Sequence, residues 1–179
     1  MGAGAWTTAV HSVIAMRPLP ESRDAVRIRP ARAEDIARVV ALETEAFSDA
    51  WTWASFENLL GDPRALFAVA CDDDGLVHGY VVAWYVVDEG EIANLAVAST
   101  SRRRGIGGSL LDAALDEART RDVTSVYLEV RDSNEVARAL YASRGFVQVM
   151  RRRRYYRTPT EDALVLKLDL HQPRTHAPR

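Results

Sequence analysis

Val97 to Gly108 reads VASTSRRRGIGG. It leaves an apolar strand, EIANLAVAS, and enters a helix whose Ile106, Leu110, Ala114 and Ala118 line one face at i+4 steps, widened by Leu111 and Leu115. A strand–turn–helix junction is a place where unpaired backbone N–H groups and the helix dipole bind anions. Gly105 and Gly107 let the backbone approach a phosphate with no Cβ in the way, and Arg102, Arg103 and Arg104 add charge beside it. Taken alone, the turn reads equally as a tight connection. Two nucleotide motifs are absent. No Gly-Lys-Ser/Thr supplies the lysine and magnesium ligand of a P-loop, and Leu110 stands where G-x-G-x-x-G requires its third glycine.

Downstream of that helix, VTSVYLEV is a fifth strand. Its alternation puts Val126, Leu128 and Val130 on one face and Ser125, Tyr127 and Glu129 on the other. A helix from about Asn134 to Ser143 follows, ended by Gly145, and FVQVM and ALVLKL complete the sheet with a polar turn between them. Upstream, AVRIRP is a first strand stopped by Pro30. Ile36, Val39, Val40 and Phe47 recur at helical spacing from Ala33 to Phe47, with Glu34 and Asp35 in the first turn, where the dipole favours acids. A second helix is expected over Trp53 to Leu60. LFAVAC and LVHGYVVAWYVV read as strands joined by the hairpin signal Asp72-Asp73-Asp74-Gly75. The order is that of one mixed α/β domain over residues 26–170.

Composition narrows the classes. At 179 residues, with a net charge of −2, the chain has room for one domain and no global pull toward nucleic acid. Cys71 is the only cysteine, so no intrachain disulfide forms and a reducing, cytoplasmic setting is expected. His11, His78, His171 and His176 show no metal-ligand spacing, so no metal is expected, and no Ser/His/Asp arrangement is evident. The first residues lack a basic n-region and a long apolar run, which argues against a signal peptide or membrane span, and Trp6 breaks the myristoylation pattern. Residues 1–25 are expected to be a flexible extension, with Met16 an alternative start, and residues 171–179 a disordered tail.

Arg102-x-x-Gly105-x-Gly107 resembles the signature of the Gcn5-related N-acetyltransferase (GNAT) family, and the resemblance covers roughly Val26 to Leu170. VVDEGEIANLAV, LEVRDSNEVARALYASRGF and RRRRYYRTPTEDALVLKL further resemble the RimI-like subgroup, the ribosomal-protein-alanine N-acetyltransferases. The resemblance implies the GNAT fold, a mixed central sheet of about seven strands with splayed fourth and fifth strands and about four helices. It also implies acetyl-CoA as cosubstrate. Residues Arg102 to Gly108, Ile106 included, would wrap the pyrophosphate, and the backbone of Leu95, Ala96 and Val97 would hold the acetyl carbonyl and pantetheine arm. Asn134 matches a position that contacts acetyl-CoA and is equally a good helix N-cap.

In the family the glutamate matching Glu129 accepts the amine proton, and the tyrosine matching Tyr141 protonates the leaving sulfur. Read from the pattern alone, Glu129 is an exposed strand residue paired with an arginine such as Arg131, and Tyr141 a core aromatic. An α-amine, with a pKa near ~8, is an easier nucleophile than a lysine near ~10.4. The expected acceptor is accordingly a peptide N-terminus, by resemblance the N-terminal alanine of a small-subunit ribosomal protein, held by Trp51, Tyr155 and Tyr156. SDAWTW departs from the subgroup, which has Pro-Trp there. A lysine or small-amine acetyltransferase and a non-catalytic acetyl-CoA-binding module are the competing readings. Direct nucleic-acid binding by Arg151–Arg154 is not expected, since charges on a strand alternate faces.

Overall fold

The structure, a computed structural model, describes residues 26–170. The extension and tail expected on either side, with His11, His171 and His176, lie outside the described residues. Strands β1 (Arg27–Pro30), β2 (Ala65–Cys71), β3 (Val77–Val86), β4 (Glu89–Val97), β5 (Ser125–Arg131), β6 (Val147–Arg157) and β7 (Thr160–Asp169) form one sheet ordered β1-β2-β3-β4-β5-β7-β6. Helices α1 (Ile36–Ala46) and α2 (Trp53–Glu57) cover one face, and α3 (Ile106–Thr120) and α4 (Glu135–Ala142) the other. This is the mixed α/β sheet expected from the sequence.

The periodicities place the two cores. On β5, Val126, Leu128 and Val130 bury against Ile106, Leu110, Leu111, Ala114 and Leu115 of α3, while Ser125, Tyr127 and Glu129 face away. On β3, Tyr80 and Val82 join Ile36, Val39 and Leu42 of α1, whereas Val81, Ala83 and Tyr85 point toward α3. Two packed layers on opposite faces of the central strands fix the register, because a one-residue slip would exchange the cores.

β4 and β5 are the only parallel neighbours, and their pairing runs just from Glu89–Ser125 to Ile92–Leu128. Beyond that point β4 continues to Val97 along β3, and β5 continues to Arg131 along β7, but the two no longer meet. The splay is thus at the expected strands. It coincides with a bulge: Val82 pairs with Asn94 and Ala83 with Ile92, so Ala93 is an extra residue in β4. A bulge reverses the in–out alternation. Ile92 faces α3, and after Ala93 it is Asn94 that turns toward α1.

Three boundaries differ from expectation for local reasons. The first helix opens as a 3-10 turn, Ala33–Asp35, because the buried Asp35 carboxylate accepts from the Arg32 amide at 2.8 Å and from the Arg29 guanidinium at 2.7 and 2.9 Å. α2 stops at Glu57 instead of Leu60, and the chain turns through Gly61 at φ +80°. β6 is much longer than FVQVM and runs through the whole arginine run, leaving only Thr158 and Pro159 between it and β7. As an edge strand exposed on both faces it tolerates charge that a central strand would not.

Candidate active site

The turn after β4 ends at the N-terminus of α3, where an anion would find free backbone donors. Gly105, the N-cap of α3, sits at φ +80° and offers no side chain to the first turn, so the amides of Ile106, Gly107 and Gly108 lack an intrahelical partner. Arg103 also has a positive φ of 62°, and Arg102, Arg103 and Arg104 are exposed around the turn. A methyl group at Gly107 would stand 3.5 Å from Leu140, 3.7 Å from Val97 and 3.8 Å from Leu95, so α3, α4 and the splayed end of β4 converge there. Gly108 plays a different part: its Cα is covered by the Arg144 guanidinium, which is paired with Asp112 at 3.0 Å. These residues fit a pyrophosphate followed by an extended arm. Gly105→Ala is expected to weaken acetyl-CoA binding by about tenfold, because a Cβ in the left-handed region costs ~1–2 kcal/mol. Calorimetric titration with acetyl-CoA checks this.

Glu129 lies where the β4–β5 pairing has just ended, with its side chain 23% exposed. Its ion-pair partner is Arg152 on β6, at 2.7 Å, and not Arg131. Arg131 is committed elsewhere: it donates to Glu161 at 3.2 Å, to Ser48 Oγ at 2.8 Å and to the Thr158 carbonyl at 3.2 Å, and it stacks 4.0 Å from the Tyr156 ring. One guanidinium therefore braces the loop before α2 against the β6–β7 turn. Sequence pattern did not reveal this brace, since its partners lie 25 to 83 residues away in the chain.

Tyr155 and Tyr156 pack edge to face, with ring centroids 5.2 Å apart, beside the carboxylate. The Glu129 carboxylate, with some burial, raises the Tyr155 phenol above its ordinary range. Burial and then Glu129 push Tyr156 up to about 12. Tyr141 is 8% exposed and packs edge-on to Phe146 at 5.7 Å. Burial, with Tyr156 nearby, pushes it up to about 12. Among the described residues no buried side-chain oxygen or nitrogen is left without a partner, and Tyr141 makes no protein hydrogen bond, so its hydroxyl is not sealed in the core. Trp51 is half buried against Phe56 at 5.8 Å, closer to a wall of the second core than to an open platform; Trp53 is the exposed ring of that loop.

A cavity of about 360 Å³ adjoins Glu129, lined by Trp84, Glu89, Glu91, Tyr127 and Arg152 among others. A larger cleft of about 1050 Å³ lies between α3, α4 and β7, but it holds none of the expected site residues and is rimmed by the ion pairs Asp112–Arg144 and Lys167–Asp169. Asn134 caps α4, its Oδ1 accepting from the Ala137 amide at 3.1 Å. Two members of the arginine run are paired, Arg151 with Asp132 and Asp162 and Arg152 with Glu129, and the backbone of Arg154 turns at φ 53°. Sequence reading found no Ser/His/Asp arrangement, yet His78 bridges Asp72 and Ser101, each at 2.9 Å. With Ser101 only 3% exposed, this relay pins the β2–β3 hairpin to the turn before Arg102 and presents no nucleophile. Among the described residues no cluster of potential metal ligands occurs and no helix is long and apolar enough to cross a membrane.

The family model for the acetyltransferase (GNAT) family matches residues 33–146. The chain belongs to the GNAT family. It is 34% identical over 138 residues to the ribosomal protein bS18-alanine N-acetyltransferase of Salmonella typhimurium, covering 76% of this chain and 92% of that one. It is 37% identical over 145 residues to the N-alpha-acetyltransferase RimI of Mycobacterium tuberculosis, covering 78% and 89%. The crystal structure of the Escherichia coli ribosomal-protein-S18-alanine N-acetyltransferase superposes with a TM-score of 0.75 at 29% identity, covering 87% of this chain and all of that one. The GNAT chain described here is accordingly an acetyl-CoA-dependent N-acetyltransferase of RimI type.

Proposed function

We propose that this GNAT enzyme acetylates the N-terminal alanine of a small-subunit ribosomal protein by direct transfer, with Glu129 as base and Tyr141 as the group facing the leaving sulfur. The observation that carries the reading is the carboxylate of Glu129 at the point where β4 and β5 part, opposite the α3 anion receptor. The names of the Salmonella and Escherichia relatives support the acceptor. Acetyl-CoA supplies the activated acyl group; Arg102 to Gly108 would hold its pyrophosphate, and the backbone of Leu95, Ala96 and Val97 on β4 would hold the carbonyl. Positioned N–H donors of that kind contribute ~3 kcal/mol at the transition state.

The amine nitrogen bonds to the carbonyl carbon, its proton passes to Glu129 directly or through one water, and the carbon–sulfur bond breaks. The sulfur leaves beside the Tyr141 hydroxyl. The brace of Arg131 to Ser48 and Thr158 keeps the two walls of the acceptor cleft apart at a fixed distance. Mass spectrometry of peptides incubated with the enzyme and acetyl-CoA tests the acceptor. Peptides opening with free Ala, Met or Ser are set beside one with a blocked terminus and internal lysines. Acetylation of the Ala terminus alone is expected, and modification of the lysines would overturn the assignment.

A further inference from the structure

Among the described residues two buried acids take no part in the steps above: Asp35, which is paired with Arg29, and Glu43, which is paired with no cation. Glu43, on α1, is 0% exposed and its hydrogen-bond partners are all neutral. The Tyr80 hydroxyl of β3 donates to Oε2, Asn94 Nδ2 of β4 donates to both oxygens at 2.9 and 3.1 Å, and the Trp51 amide donates to Oε1 at 2.9 Å. A buried carboxylate without a cation is costly unless its lone pairs are met, so such a residue is retained against the pull of a simple apolar core. Its donors come from three separate segments. Two of them are the segments that must stay in register for transfer: the loop entering α2 and the splayed strand β4. The tie to β4 exists only because the extra residue Ala93 turns Asn94 away from α3 and toward α1.

We infer that Glu43 is a positioning residue that sets the distance between the acceptor wall at Trp51 and the thioester-holding strand at Asn94. The inference rests on the proposed acceptor reading in placing Trp51 beside the peptide. Glu43 itself touches no substrate. Its effect is transmitted through the Trp51 amide and through Phe56, which stands 5.6 Å from Tyr80, edge-on, and 5.8 Å from Trp51. The anion receptor of α3, on the other face of the sheet, has no bond to this cluster. The cluster therefore bears on the peptide more than on the anchoring of acetyl-CoA at α3.

The test replaces the polar side chains together, Glu43→Met with Asn94→Leu and Tyr80→Phe, because exchanging a whole buried polar set for apolar groups of similar volume is commonly neutral or stabilising. The expected result is a rise of about tenfold or more in KM for the Ala peptide, as small misplacements of a reactant produce. The Kd for acetyl-CoA should stay within about twofold, and amide exchange at Trp51 should accelerate while that of Gly107 does not. Glu43→Gln, which keeps the shape and one acceptor oxygen, should give an intermediate rise in KM, and it carries the same comparison if the triple variant does not fold. Unchanged KM with unchanged exchange overturns the inference. So does a parallel loss of peptide and acetyl-CoA affinity, which would make Glu43 a general core element. If the wild-type enzyme turns over no N-terminal peptide, the acceptor reading falls by itself, and the exchange at Trp51 still decides whether Glu43 holds the loop.

Discussion

Glu129→Gln is expected to lower turnover of an Ala-terminated peptide by about 10²- to 10⁴-fold at neutral pH, the usual contribution of a positioned proton acceptor. The amide keeps the length of the side chain and one oxygen for Arg152, so the hairpin that carries Tyr155 and Tyr156 should stay in place. What is lost is the capacity to take a proton from an ammonium with a pKa near ~8. At neutral pH roughly a tenth of such amines are already free, and above pH ~8 most are. The deficit should therefore shrink as pH rises, because solvent does the work the carboxylate did. Acetyl-CoA affinity should not change, since the anion receptor lies on α3. Steady-state rates from pH 6 to 9.5, with calorimetric acetyl-CoA binding in parallel, check both statements. A deficit that stays constant across that range would assign Glu129 a binding role instead.

Tyr141→Phe is expected to lower kcat by about 10- to 100-fold with little change in KM for the peptide, the loss of one hydrogen bond to a charged leaving group worth ~1.5–3 kcal/mol. The direction of the pKa explains why the effect should be of this size. Burial first, then Tyr156, pushes the phenol up to about 12, whereas a thiol of the cysteine type sits near ~8.5. Complete proton transfer from tyrosine to thiolate is then uphill, so the hydroxyl stabilises the departing sulfur as a donor and keeps its proton through most of the event. A phenol raised to about 12 also stays protonated through the range in which the enzyme can be assayed. The wild-type rate should accordingly show no alkaline fall from this group below pH ~11, as a group loses its proton only near its own pKa. A rate for Tyr141→Phe equal to wild type would remove the hydroxyl from the chemistry and leave a core ring against Phe146.

Most of the frame was legible because it rests on periodicity. The apolar face of α3 and the alternation of β5 follow from side-chain spacing alone, and together with the glycine turn they locate the junction at which the sheet opens. What could not be read depends on breaks in that spacing. The bulge at Ala93 inverts the face of every later residue in β4, so Asn94 reads as an α3-side residue until the extra residue is known. The sixth strand was bounded at FVQVM because apolar alternation ends there; its place at the sheet edge lets the strand continue through four arginines. Glu129 was given the wrong arginine for a similar reason. Arg131 is near in sequence, but it is drawn off by Glu161, Ser48 and Tyr156, and Arg152 reaches across from β6. Long-range polar ties such as Asp72–His78–Ser101 carry no local signature at all.

The short seam between β4 and β5 has a consequence for cooperativity. One side of the sheet, β1 to β4, is laced by antiparallel pairing, and so is the other, β5 to β7; only the run from Glu89–Ser125 to Ile92–Leu128 joins them by backbone. The two halves are therefore joined chiefly by α3, which packs across them, and by a narrow strip of hydrogen bonds. A ligand lying in the open part of the seam completes the joint that the chain leaves unfinished. Acetyl-CoA bound there would act as a mechanical coupler as well as a reagent, and the enzyme would be most nearly a single cooperative unit when loaded for transfer.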